Sequence, residues 1–267
     1  MNKFVFTCGD TNGIGPEIVI KAIDKLYGKS KNKFIVAIPS NIFEKASALV
    51  KPKFPFAVSE KPTNAQFNDT KVLIISTGKV NHKPGTPTKG SGKHSFLSIK
   101  KAFELTASKQ ADAMITAPIS KYAFKLAGIN FPGHTELLGE WSGTKNYVMT
   151  FLSPKMKCAL VTIHEPVKNV SRLITRARLK KTIDVVEDML ITDFHIKKPR
   201  IAVLGLNPHA GENGKIGREE EDIIKPVLSS RTNTFGPFVP DAFFANHRAR
   251  SLRTQLSPAP ETPGSPG

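Results

Sequence analysis

The chain has 267 residues, 39% of them apolar, and 39 Lys and Arg against 22 Asp and Glu give it a formal net charge of +17. That length and apolar content suit one large α/β domain or two lobes; no apolar run reaches the roughly 20 residues needed to cross a bilayer, and the opening MNKFVFTCGD lacks the features of a signal peptide, so a cytoplasmic protein off the membrane is expected. The basic balance suggests nucleic acid, but the lysines are dispersed and the Phe residues sit inside apolar runs, which favours a solvated basic surface or a positive cleft for an anionic substrate.

Apolar runs alternate with helical patterns along most of the chain. Lys3 to Cys8 reads as a buried strand, Gly9 to Gly15 as a turn, and Pro16 as the first position of a helix whose apolar side is Ile18, Ile20, Ala22 and Ile23. Phe34 to Pro39 and Lys71 to Ser76 are further strands, with a helix from about Asn41 between them. Residues 78 to 93 are rich in Gly, Pro, Lys and Thr and read as a loop before a helix carrying Leu97, Ala102, Phe103 and Leu105. Ala111 to Pro118, Tyr147 to Leu152, Cys158 to Ile163 and Arg200 to Leu206 read as strands; residues 176 to 193 and 217 to 228 read as helices, the latter with Glu219 to Asp222 in its first turns. Strand–helix alternation of this kind predicts an α/β fold with substantial parallel sheet. Cys8 and Cys158 read as two buried thiols, not a disulfide framework.

Four segments carry candidate chemistry. The first, TCGDTNGIGPE (Thr7 to Glu17), joins a strand to a helix, where a loop can receive an anion. Ile18 stands where a dinucleotide fingerprint needs its third glycine, and no GK[ST] follows, so a tight structural turn is an equal reading. In the second, PGHTELL, His134 and Thr135 lie side by side before a helix. They suit an anionic, oxygen-rich ligand, or Thr135 is a cap and His134 is structural. CALVTIHEP places His164 beyond one strand, and AVLGLNPHAGENG places His209 beyond another. Ligands in open α/β sheets gather beyond the carboxyl ends of strands, so the two imidazoles can share a divalent metal. A catalytic metal takes about three protein ligands; Glu165 and Glu212 are candidates to complete the set, and a hydrogen-bonded loop residue is the alternative for each histidine.

Together GDTNGIGPEI, ADAMITAPISK, AGINFPGHTELL, ALVTIHEPV, KKPRIAVLGLNPHAGENGKIGREE and GPFVPDAFF resemble the 4-hydroxythreonine-4-phosphate dehydrogenase family, in the family's order and up to about residue 244. The resemblance implies an isocitrate/isopropylmalate-dehydrogenase-like fold, with two lobes around a central cleft and an active site at a homodimer interface. It implies NAD as hydride acceptor, with no NAD-contacting or catalytic residue assigned. It implies His134 and Thr135 at the phosphate end of the substrate or its neighbours, and His164 and His209 on a divalent metal (zinc, or magnesium or cobalt). The implied reaction is NAD-dependent oxidation and then decarboxylation of 4-phosphohydroxy-L-threonine to an amino-ketone phosphate, in pyridoxal phosphate biosynthesis. Dehydrogenation of a four-carbon sugar-acid phosphate is the related alternative, and a basic nucleic-acid-binding protein is the distant one.

The family's third metal-binding histidine, in an HDQG-type segment, has no counterpart here, nor do its downstream Lys, Asn and Arg substrate contacts. The expectation is therefore a dehydrogenase body over residues 1–244, C-terminally truncated or frame-shifted and impaired in activity. A disordered, Pro-rich tail outside the family is expected over 245–267.

Overall fold

The computed structural model describes the backbone of residues 1–59, 67, 70–131 and 133–253, with side chains up to Asn246. The chain divides into two compact units, Met1–Gly143 and Thr144–Gly267.

The first unit is built on a five-stranded, all-parallel sheet of β1 (Lys3–Thr7), β2 (Lys33–Ile38), β3 (Ala57–Ser59), β4 (Val72–Ser76) and β5 (Ala113–Ile115), in the order β3-β4-β2-β1-β5. Its central strands are unbroken apolar runs because helices cover both faces. On one face Phe6, Val36, Ile38 and Ile74 pack with Val19, Ile20 and Ile23 of α1 (Gly15–Tyr27) and with Ile42 and Phe43 of α2 (Ser40–Val50). On the other, Val5, Ile35, Leu73 and Ile75 meet Ala102 and Leu105 of α3 (Lys89–Ala107). Ile18, expected on the apolar side of α1, is exposed; Val19 takes the inward position.

A buried hydroxyl ties α3 to the strand ends. Ser98 Oγ accepts from the Cys8 N–H at 3.0 Å and donates to the Ala37 carbonyl at 2.6 Å. Cys8 is a free thiol, fully buried, and burial pushes its pKa up to about 12. The short helices α4 (Lys121–Leu126) and α5 (His134–Trp141) close this unit over Ile99, Phe124 and Leu137. The Trp141 ring lies 5.3 Å from Phe96 and 5.4 Å from Phe103.

Two expectations for this unit change. The Gly- and Lys-rich stretch before α3 is helical from Lys89, because Thr88 and Ser91 form a reciprocal capping box. The strand expected over Ala111 to Pro118 shrinks to Ala113–Ile115: the Ala117 N–H turns to Thr7 Oγ1, and the Pro118 carbonyl is taken by the Asp10 N–H.

The second unit holds two small sheets. β6 (Thr150–Leu152) and β7 (Lys157–Ala159) are antiparallel; β8 (Ile201–Leu204) and β9 (Thr234–Phe238) are parallel. Helices α6 (Val167–Leu173), α7 (Arg176–Thr192) and α8 (Lys225–Ser229) accompany them. Their core is Leu179 and Ile183 of α7 with Ile224, Val227 and Leu228, against Val161, Ile201, Val203 and Leu206. The helix expected over 217–228 opens as one wide turn, Glu220–Ile224, before α8.

The expected strands Tyr147 to Leu152 and Cys158 to Ile163 are reduced to three paired residues each, and Cys158 is only partly buried. Disorder from residue 245 is not what the described residues show: α9 (Pro240–Arg253) keeps the backbone helical through Arg253. Its last residues carry Ala, Arg and Leu, which favour helix, and no proline falls between Pro240 and Pro258. Residues 254–267 lie outside the described residues. No helix among the described residues is long and apolar enough to cross a membrane.

Candidate functional site

In the first unit the chain leaves β1 for β2 on one side and later places β5 on the other. This makes β1/β5 the topological switch point, where open α/β sheets leave a crevice beyond the strand ends. The Gly9–Ile14 loop stands there. Gly9 has φ +66°, and a Cβ on it would lie 2.3 Å from the Pro118 carbonyl oxygen, so only glycine fits. Asp10, Thr11 and Asn12 are buried, and much of their polarity is used internally. Asp10 Oδ1 accepts from the Asn12 N–H at 3.1 Å. Asn12 Oδ1 accepts from the Lys83 N–H at 3.0 Å, its Nδ2 donates to the Thr86 carbonyl at 2.7 Å, and its carbonyl accepts from the Gly85 N–H at 2.8 Å. Asn12 therefore ties down the 83–88 loop, as the structural-turn reading requires.

His134 and Thr135 open α5, with Leu137 buried beneath them. Gly133, directly before His134, is the N-cap of this helix, and Pro132 lies outside the described residues. Thr135 thus sits inside the helix and caps nothing through its side chain, contrary to the capping reading. Both side chains are half-buried. His134 Nε2 is buried without a hydrogen-bond partner among the described residues, and desolvation holds the imidazole pKa below its usual value. A neutral ring with one unsatisfied nitrogen, at the positive end of a helix, is suited to an anionic oxygen.

The other two histidines belong to the second unit. His164 lies five residues beyond the end of β7, exposed and at φ +57°, three residues before α6. It is a loop residue: Leu160 still donates to the Met149 carbonyl at 3.0 Å, but Val161 to Ile163 lie beyond the strand. His209 is also exposed, in the turn Pro208–Gly214 that follows β8. There His209, Ala210, Gly211, Glu212 and Asn213 all have positive φ, from 45° to 77°. Such a conformation costs on the order of 1–2 kcal/mol for each non-glycine residue, so its surroundings must impose it.

Two carboxylates anchor the chain where it enters this turn. Glu220 is fully buried, and its Oε1 accepts from the N–H groups of Leu206 at 2.7 Å and Asn207 at 2.8 Å. Asn207 Nδ2 donates to Glu220 Oε2 and to Glu219 Oε2, each at 2.8 Å. Glu219 also accepts from the Ser171 hydroxyl of α6. The Ser171 and then the Asn207 hydrogen bonds hold the Glu219 pKa below the usual carboxylate value. Gly217, at φ +113°, lets the chain pass the Asn207 side chain: a Cβ there would lie 2.4 Å from Nδ2. The segment bearing His164 and the turn bearing His209 are thus linked through one side chain.

Sequence reasoning missed Asn207, Glu219, Glu220 and Ser171. It placed Glu219 to Asp222 in the first turns of a helix, as complements of its dipole, whereas the first two bond to the loop before it. Their signal was the pair of acids just after Gly217, at the end of an Asn- and Gly-rich turn. Glu165 and Glu212, the candidates for a third metal ligand, are exposed. Among the described residues no group of three or more His, Cys, Asp and Glu side chains is placed to hold a metal. In donor chemistry, His164 and His209 fit two of the roughly three protein positions of a catalytic divalent ion.

The model of the pyridoxal phosphate biosynthetic protein PdxA matches residues 29–257. The chain belongs to the PdxA family. A PdxA-family relative from Prosthecochloris aestuarii, a 4-hydroxythreonine-4-phosphate dehydrogenase, is 36% identical over 262 residues, covering 94% of this chain and 78% of its own. One of the same name from Desulforapulum autotrophicum is 34% identical over 252 residues, covering 91% and 74%. The crystal structure of 4-hydroxythreonine-4-phosphate dehydrogenase from Klebsiella pneumoniae superposes with a TM-score of 0.82 at 30% identity, covering 93% of this chain and 77% of that one. The α/β fold with a parallel sheet matches these PdxA-family structures, and the family supports the dehydrogenase reading over the sugar-acid and nucleic-acid alternatives. The family match also runs past Phe244, to residue 257.

Proposed function

We propose that this chain oxidises 4-phosphohydroxy-L-threonine with NAD, as the names of its relatives indicate for those proteins. The carbinol C–H leaves as hydride to the nicotinamide and the O–H proton is lost, giving a ketone and NADH. The ketone lies β to the substrate carboxylate, so the C–C bond to that carboxylate breaks, carbon dioxide leaves, and protonation of the carbon gives an amino-ketone phosphate. The product feeds pyridoxal phosphate formation.

In this reading His134, kept neutral by burial, donates an N–H to the phosphate end, and Thr135 adds its hydroxyl there. His164 and His209 supply two ligands to a divalent ion such as zinc, magnesium or cobalt. A bound divalent ion supplies Lewis-acid polarisation of the substrate oxygen. The two units act as the lobes of an isocitrate/isopropylmalate-dehydrogenase-like enzyme in the cytoplasm, working as a homodimer.

The observation that carries the reading is the linkage, in a PdxA-family chain, of the His164 segment and the His209 turn through Glu219. The test is NADH formation by the purified chain from 4-phosphohydroxy-L-threonine with added Zn2+, Mg2+ or Co2+, beside a panel of four-carbon sugar-acid phosphates. Turnover specific to the hydroxythreonine phosphate is expected, below that of a full-length relative and lowered further, by at least about 10–100-fold, in His164→Ala or His209→Ala. Turnover of a sugar-acid phosphate alone, or activity indifferent to both substitutions, would overturn it.

A further inference from the structure

We infer that Glu219 is a positioning residue, a strut that sets the spacing between the His164 segment and the His209 turn; the inference rests on the proposed role of those histidines as metal ligands. Its carboxylate spends one oxygen on each side. Oε1 accepts from Ser171 in α6, the helix that begins three residues after His164. Oε2 accepts at 2.8 Å from Nδ2 of Asn207, two residues before His209. Glu220 holds the backbone of the same turn from within, so Asn207 is fixed before Glu219 reaches it. Among the described residues no side-chain hydrogen bond aims either imidazole, and both side chains are exposed. Their separation therefore depends on what lies behind the two loops, and among the described residues Glu219 is a side chain that bonds to both segments.

The strut is a matter of reach more than of charge. Glutamine has the same length: its carbonyl accepts from Asn207, and its amide donates to a Ser171 hydroxyl turned to accept. Alanine reaches neither partner. Loss of such outer support costs a metal site about 10–100-fold in affinity.

The test is Co2+ binding by the full-length chain, followed by visible absorption and equilibrium dialysis, with melting temperature recorded for every variant. His164→Ala and His209→Ala are expected to weaken Co2+ binding. Glu219→Ala is expected to weaken it by about 10-fold or more, Glu219→Gln to recover most of that loss, and Ser171→Ala to lose part of it. In a His164→Ala background the Glu219→Ala penalty should largely vanish, because one end of the strut then positions nothing. If neither histidine variant alters Co2+ binding, the metal reading fails and the strut with it. If both weaken binding but Glu219→Ala and Ser171→Ala leave it unchanged, or Glu219→Ala costs as much without His164 as with it, the strut alone is overturned. Should Glu219→Ala melt below the assay temperature, Ser171→Ala and Glu219→Gln decide the matter.

Discussion

Gly217 passes the Asn207 side chain at a φ open to glycine and to little else. Gly217→Ala should therefore destabilise the chain by about 1–3 kcal/mol, read as a lower midpoint in urea, and should disturb the His209 turn more than a surface substitution does. His134 makes a second prediction. Its folded-state pKa is depressed, as are those of His82 and His94, with burial the leading cause for each. The unfolded chain then binds protons that the folded chain refuses. The stabilisation is complete above the ordinary histidine pKa of about 6.5 and fades as pH falls from there through the depressed folded values. Melting temperature should drop on acidification from pH 7 towards pH 5, and His134→Gln should shallow that slope; an unchanged slope would show that His134 has no part in it. At this scale the sequence made the imidazoles visible but not what holds them. The PHAGEN motif announces a turn, yet no pattern says that Glu219 and Glu220 fold back twelve and thirteen residues to Asn207. Periodicity reports which way a side chain faces along its own element and is silent on partners across a loop.

Among the elements, α3 shows both what patterning reveals and what it conceals. Leu105 and Ala102 lie on a helical stripe that is legible from spacing alone, and both are buried. Thr88 and Ser91 formed a legible cap that a count of Gly and Lys obscured. Ser98 was not legible, because a hydroxyl at a core-facing position carries no periodic signal of its own. It bonds the ends of β1 and β2 from a third element, so Ser98→Ala strands the Cys8 N–H and the Ala37 carbonyl away from water. The expected cost is about 1–3 kcal/mol, measured as a loss of denaturant stability with little change in secondary structure by circular dichroism. Elsewhere local propensity overstated the strands. Tyr147 to Leu152 and Cys158 to Ile163 read as long because they are apolar and β-branched, but the paired strands cover three residues on each side, with one further bond from Leu160 to Met149.

For the molecule as a whole, alternation of strand and helix predicted a parallel α/β sheet, and the first unit is one. Division at Gly143 was not visible, because no Pro- or Gly-rich linker marks it. The two units differ in what they bury. The first has strands covered on both faces, whereas the second depends on a small cluster around Leu179, Ile183 and Ile224. Urea should accordingly unfold the second unit at lower concentration. Trp141, the single tryptophan, reports on the first unit, so its fluorescence transition should fall at higher urea than the first phase of helical circular dichroism loss. Coincident curves would mean that the units melt as one.

The thiol at the end of β1 carries a practical consequence. Sulfur attacks alkylating and oxidising reagents as the thiolate, and Cys8 is denied both that charge and contact with solvent while the sheet is closed. Uptake of a reagent at this sulfur therefore keeps time with the opening of the sheet's centre, and the protein carries its own stopwatch for that event.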